Sequence, residues 1–270
     1  MATYEEKLGK TLIRILASKD GGYDGTTIRA GKRGEILHDD DHGLLLARLR
    51  NQAGKLEPGY FGMDAAIAHF LKFMPSGFSG EQFKQERPYK IKASQALNAT
   101  LQVEQALMAN RADADAVRKA PVWINLLATF ESMHLKQAIE GPEGPKFLQA
   151  AAKFAFGDLA AGLAGMHAAA KPYGTVSWAM VTYFPYLWKP TEHMFLKPTV
   201  TRDFAERIGH PFQYQYDAEL NPAVYKSLLA LTDDARAGLA DLKPVDNIDV
   251  QSFIWVVGGY TDADLPLDIE

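Results

Sequence analysis

The chain has 270 residues, of which 47% are hydrophobic, and it contains no cysteine. That apolar content excludes a disordered chain, and the missing thiols exclude a disulfide scaffold, thiol catalysis, Cys-ligated zinc and iron–sulfur clusters. The net charge of -4 argues against a general polyanion binder, but it hides a gradient: residues 1–100 sum to +3, 101–200 to +1 and 201–270 to -8.

Residues 1–75 are expected to form a small mixed α/β region. Thr11–Leu16 fits a strand, or part of a helix from Tyr4 to Ser18. Asp20–Gly25 reads as a turn. Thr26–Arg29 and Glu35–His38 read as short strands around the tight-turn stretch Ala30–Gly34. His42–Arg50 then reads as a helix through Leu44, Leu45, Leu46 and Leu49. A further helix follows with Met63, Ile67, Phe70 and Leu71 on one face.

Residues 76–270 are expected to form a helical body, although one continuous domain fits equally well. A long helix is predicted from Pro88 to about Asn110, carrying Ile91, Leu97, Leu101, Val103 and Leu107. Pro121 suits the first turn of the next helix, which carries Trp123, Leu126, Leu127, Phe130 and Met133. Beyond the loop Gly141–Pro145, an Ala-rich helix is expected from Phe147 to Ala170. Its small residues Gly157, Ala161 and Gly165 allow close helix approach. Lys153, Asp158 and His167 argue against a membrane span.

Residues 172–200 carry four prolines and seven aromatic residues, so short pieces joined by loops are predicted there. Asn221-Pro222 opens a helix to Leu229, Thr232 opens another to Leu242, and Asp246 caps a last one, Asn247 to Val257, that Gly258-Gly259 ends. The fold class is therefore mainly α with a small β-containing N-terminal region (α+β) and a multi-helix globular body. Met1–Lys10 has no apolar run of signal-peptide length, so a cytoplasmic location without a membrane partner is expected.

Three constellations are candidates for function. The first joins Trp188, Glu192, His193 and Lys197, aromatic and polar groups in one proline-broken segment that suit a ligand pocket or, equally, core packing. The second is the basic, aromatic stretch Lys84, Arg87, Lys90 and Lys92 with Phe83 and Tyr89. With Arg29, Lys32 and Arg33 it suits phosphate or nucleic acid at residues 29–33 and 84–92. The third is His38, Asp40 and His42 in a run of imidazoles and carboxylates, which suits a divalent metal or simply an exposed helix-capping loop. Glu131-x-x-His134 is half of a di-metal motif without its second half. Phosphate-loop, dinucleotide, nucleophile-elbow and His-Glu-x-x-His motifs are all missing.

Pro190–Pro198, together with Asp246–Trp255, resembles the closing part of an uncharacterised bacterial protein family, over about the last third of the chain. The resemblance implies a bacterial intracellular setting and carries over no catalytic residue. The expected function is a helical module binding an unknown small-molecule or protein partner through an anion-accepting face. The alternatives are a metal-assisted enzyme acting on a phosphate-bearing substrate and a sequence-independent nucleic-acid binder.

Overall fold

The structure is a computed structural model that describes residues 3–56, 59–81 and 83–265. Four strands come first: β1 (Thr3–Leu8), β2 (Thr11–Ala17), β3 (Tyr23–Arg29) and β4 (Lys32–Asp39). Helices follow: α1 (His42–Gly54), α2 (Gly62–Phe73), α3 (Phe83–Thr100), α4 (Val103–Ala106), α5 (Arg111–Val117), α6 (Thr129–Glu140) and α7 (Gly144–Ala155). The rest are α8 (Leu159–Ala170), α9 (Trp178–Trp188), α10 (Pro198–Ile208), α11 (Phe212–Gln215), α12 (Pro222–Gly238) and α13 (Asn247–Gly259). The fold is mainly α with a small N-terminal antiparallel sheet. The chain divides into two compact units, one from residues 1–73, 199–216 and 254–270, the other from 74–198 and 217–253.

In the first unit the strands form a meander in the order β1-β2-β3-β4. Ala30 and Gly31, at φ 48° and 76°, make the two-residue turn between β3 and β4. Left-handed conformations at both positions match the twist of the paired strands. Thr11, Ile13 and Ile15 of β2 point to the buried side and Leu12, Arg14 and Leu16 to the other. The Asp41 carboxylate caps α1 by accepting from the Leu44 N–H at 2.9 Å. Leu45, Leu49 and Ala53 then pack with Leu8, Ile13 and Ile15 as one cluster. Arg50 clamps the Glu6 carboxylate of β1 through two bonds of 2.8 and 2.9 Å. β1 is not among the strands the sequence suggests, because Glu5, Glu6 and Lys7 mask its alternation.

In the second unit the fully buried α9 is the central element. It passes through Pro185, where no long regular helix was expected. An interior proline costs about 3 kcal/mol. Trp178, Tyr183, Phe184, Tyr186 and Trp188 each recover about 2 kcal/mol on burial, so packing outweighs the lost hydrogen bond. Pro88 likewise lies inside α3, not before it. The expected helix to Asn110 stops at Thr100, and residues 123–128 are not helical.

The Ala-rich stretch breaks into a helical hairpin. Gly157, at φ 94°, makes the turn and Asp158 caps α8. Of the small residues expected to allow close approach, Gly165 does so, Gly157 makes the turn instead, and the other close contact falls at Gly162. A methyl at Gly162 would stand 2.8 Å from the Phe154 backbone, and one at Gly165 would stand 2.7 Å from the Ala150 Cβ. Thr232 does not start a helix. Its hydroxyl bonds back to the Leu228 carbonyl at 2.9 Å, and α12 runs on through it. Among the described residues, no helix is long and apolar enough to cross a membrane.

Candidate functional site

The basic stretch on α3 turns inward. Arg87 donates to both carboxylate oxygens of Asp246, at 2.9 and 2.7 Å, and also to Asp249. Both acceptors are buried at the start of α13, where they also accept from the Ile248 and Val245 N–H groups. One turn along α3, Lys90 is 3% exposed, and its ammonium donates to Gln251 Oε1 at 2.8 Å and Ser252 Oγ at 2.9 Å. Burial pushes its pKa down to about 8, although the Glu86 carboxylate 3.7 Å away pulls the other way. Burial also raises the Asp249 pKa, against the Val245 N–H and Arg87.

An amine beside a hydroxyl is a pair able to pass a proton. Here both groups lie inside the helical core, and their bonds fasten α13 to α3. Lys84 points outward and pairs with Glu81, and Lys92 is exposed. In the other unit, Arg29 donates to the Thr11 hydroxyl at 3.2 Å, while Lys32 and Arg33 are exposed. Within the second unit, a nucleic-acid face would therefore have to use Lys84 and Lys92, without Arg87 and Lys90.

The proline-broken aromatic segment is core, and its four candidate residues each find a different partner. The Trp188 indole donates to the Leu101 carbonyl at 2.8 Å. Glu192 is exposed and pairs with Lys189 at 2.6 Å. His193 sits between the Tyr225 hydroxyl and the Ala155 carbonyl, each at 3.0 Å, and burial lowers its pKa below the ordinary histidine value. Lys197 reaches the Glu131 carboxylate at 2.8 Å. That carboxylate also accepts from the Ser177 hydroxyl and the Ala128 N–H. Burial pushes the Glu131 pKa up, but these three donors hold it below the ordinary carboxylate value. The four residues reach four separate partners, and aromatic rings beside Trp188 and His193 pack against them.

The 38–42 run is similarly dispersed. His38 bonds Asp24 at 2.8 Å, which raises the histidine pKa, and Asp40 stands 3.8 Å from its other nitrogen. The His42 ring meets Tyr4 and Tyr23 edge-on at 5.1 and 5.2 Å. His38, Asp40 and His42 form no ligand set, and among the described residues no group of three or more His, Asp or Glu side chains could hold a metal ion.

One surface stands out that sequence reasoning took for the face of a single helix. Pro121 opens a 3-10 turn whose Val122 and Trp123 N–H groups bond back to Lys119 and Ala120, both at 3.1 Å. The chain stays irregular until α6, where Ser132 ties the helix to the turn by donating to the Pro121 carbonyl at 3.0 Å. An open cleft of about 520 Å³ lies between them, lined by Pro121, Val122, Trp123, Ile124, Leu127 and Met133, with Lys136 beside them. Ile124 and Leu127 are buried in its floor, while Val122 is 61%, Phe130 73% and Met133 43% exposed. One signal could have found it. At 100° per residue, Phe130 and Met133 lie opposite the core stripe Leu135, Ala138 and Ile139, so α6 carries a second apolar face.

The first unit has a groove of about 540 Å³ between β1 and α11, lined by Tyr4, Glu5, Glu6, Lys7 and Tyr214. Its carboxylates are already committed, Glu5 to Arg14 and Glu6 to Arg50. Comparison with family models, with curated proteins and with solved structures finds no match for this chain, so the resemblance of its closing part stays an expectation.

Proposed function

We propose that the chain is a partner-binding module whose cleft between the Pro121 turn and α6 accepts apolar side chains of another protein segment. One observation carries this reading: Val122 and Met133 line the cleft and remain exposed beside buried Ile124 and Leu127, and Phe130 is exposed on the same side of α6 as Met133. Water around three large apolar groups is a standing free-energy cost, and contiguous exposure of this kind marks interaction surfaces. Each group removed from water contributes about 1–2 kcal/mol. The buried charges of the same unit support the reading from the other side, since Arg87, Lys90 and Glu131 are satisfied internally.

The test is methyl NMR on the protein with a panel of helix-forming peptides that share one apolar stripe and differ in charge. At least one peptide should shift the Met133 methyl and the Val122 methyls saturably, and Met133→Asp should abolish the shifts without lowering the melting temperature. If no peptide at millimolar concentration moves either residue, the reading is wrong.

A further inference from the structure

Resting on that reading, we propose that the segment this cleft accepts is an acidic amphipathic one, with apolar residues for the floor and carboxylates for the rim. The stretch that builds the cleft, residues 118–136, carries Arg118, Lys119, Glu131 and Lys136 as its charged side chains. Arg118 and Lys119 are exposed, immediately precede the Pro121 turn, and form no ion pair among the described residues. Lys136 reaches Glu140 only at 3.8 Å and is 45% exposed.

Glu131 is the one carboxylate of the stretch. It is turned away to Lys197, Ser177 and the Ala128 N–H, with 21% of its side chain exposed. The cleft thus presents apolar surface with Lys136 in its lining and the exposed Arg118 and Lys119 at the start of the turn that forms its other wall. Complementary rim charge steers encounter and selects among partners of similar apolar shape. A recessed floor at Ile124 and Leu127 fits inserted side chains, the way an amphipathic helix docks in a groove. A lipid surface would instead meet a convex patch.

The experiment titrates the full chain with three peptides of one apolar stripe whose other positions are all Glu, all Gln or all Lys. Vesicles of phosphatidylglycerol and phosphatidylcholine form a fourth arm. Met133 and Val122 methyl shifts locate binding and calorimetry gives the affinity. At low salt the Glu peptide should bind about tenfold tighter than the Gln peptide, from two or three rim pairs. That margin should close near 1 M salt.

Lys119→Glu with Lys136→Glu should reverse the order in favour of the Lys peptide. Lys119 is exposed and Lys136 half-exposed, and an unchanged thermal melt confirms that the fold survives. Equal affinity for the Glu and Gln peptides overturns the acidic partner while leaving the cleft a binding site. Silence from all three peptides overturns both. Shifts produced by the vesicles alone overturn the protein partner in favour of a membrane surface.

Discussion

Lys90 shows how far a side chain's surroundings can depart from what its sequence neighbours suggest. It stands in a run of basic residues that reads as an exposed cationic face, yet its ammonium is buried against Gln251 and Ser252. Its folded pKa of about 8 lies below the ordinary 10.5, so between those values the unfolded chain binds the extra proton. Stability should therefore rise as pH increases through 8, by on the order of 2–3 kcal/mol for a shift of this size. The rise should fade near pH 10, because burial raises the Tyr183 and Tyr225 hydroxyls well above the ordinary tyrosine value and these groups ionise first in the unfolded chain. Urea unfolding between pH 7 and 10 measures the slope. In Lys90→Met the rise should vanish, and a slope that persists there would assign it to another group. None of this was legible in sequence, since Arg87 meets Asp246 159 positions away and no local pattern reports such a meeting.

At the scale of elements, periodicity read well where one face of a helix is buried and the other wet. It found α1, α2 and the capped starts of α12 and α13, but it left β2 open between strand and helix, although Thr11, Ile13 and Ile15 alternate with half-exposed neighbours. It failed where burial is complete, as in α9, because a helix enclosed on all sides has no alternation to detect and its aromatic content outweighs Pro185. The hairpin of α7 and α8 hid for a related reason, since alanine before and after Gly157 gives no sign of a stop. That hairpin carries a prediction in which two effects compete. Alanine is the better helix former by about 1 kcal/mol. At Gly162, however, the added methyl meets the Phe154 Cβ at 2.5 Å and its backbone at 2.8 Å. Overpacking against backbone costs about 1–3 kcal/mol, so Gly162→Ala should lower stability on balance. Thermal unfolding decides the sign. The cleft beside α6 escaped for the opposite reason, because a second apolar stripe on a helix looks like a wider core stripe until its exposure is known.

Over the whole molecule, the fold class was legible from the count and spacing of helical signals, with strands confined to the first forty residues. The division of the chain was not, because the first unit gathers residues far apart in sequence. Within it, Tyr260 packs its ring on Phe73 at 5.2 Å and offers its carbonyl to His69 at 3.2 Å. Arg207 donates to the Val257 carbonyl, and Gly258 lies so close to Val200 that no side chain fits there. Deleting residues 254–265 should therefore strip amide protection from α2 and the 199–208 stretch of α10. The sheet and α1 close their own cluster within residues 8–53 and should keep theirs. Hydrogen exchange read by mass spectrometry separates these outcomes, and uniform loss across all of them would refute the distinction.

The same interleaving sets an order of events during synthesis. The meander and α1 can fold as soon as they leave the ribosome, but α2 emerges long before the residues that cover it. At about 5–20 residues per second, Phe70 and Phe73 wait on the order of ten seconds or more for residues 254–260. During that interval the nascent chain displays an apolar helix that the finished protein hides, which makes α2 the segment where a holding chaperone would first engage it.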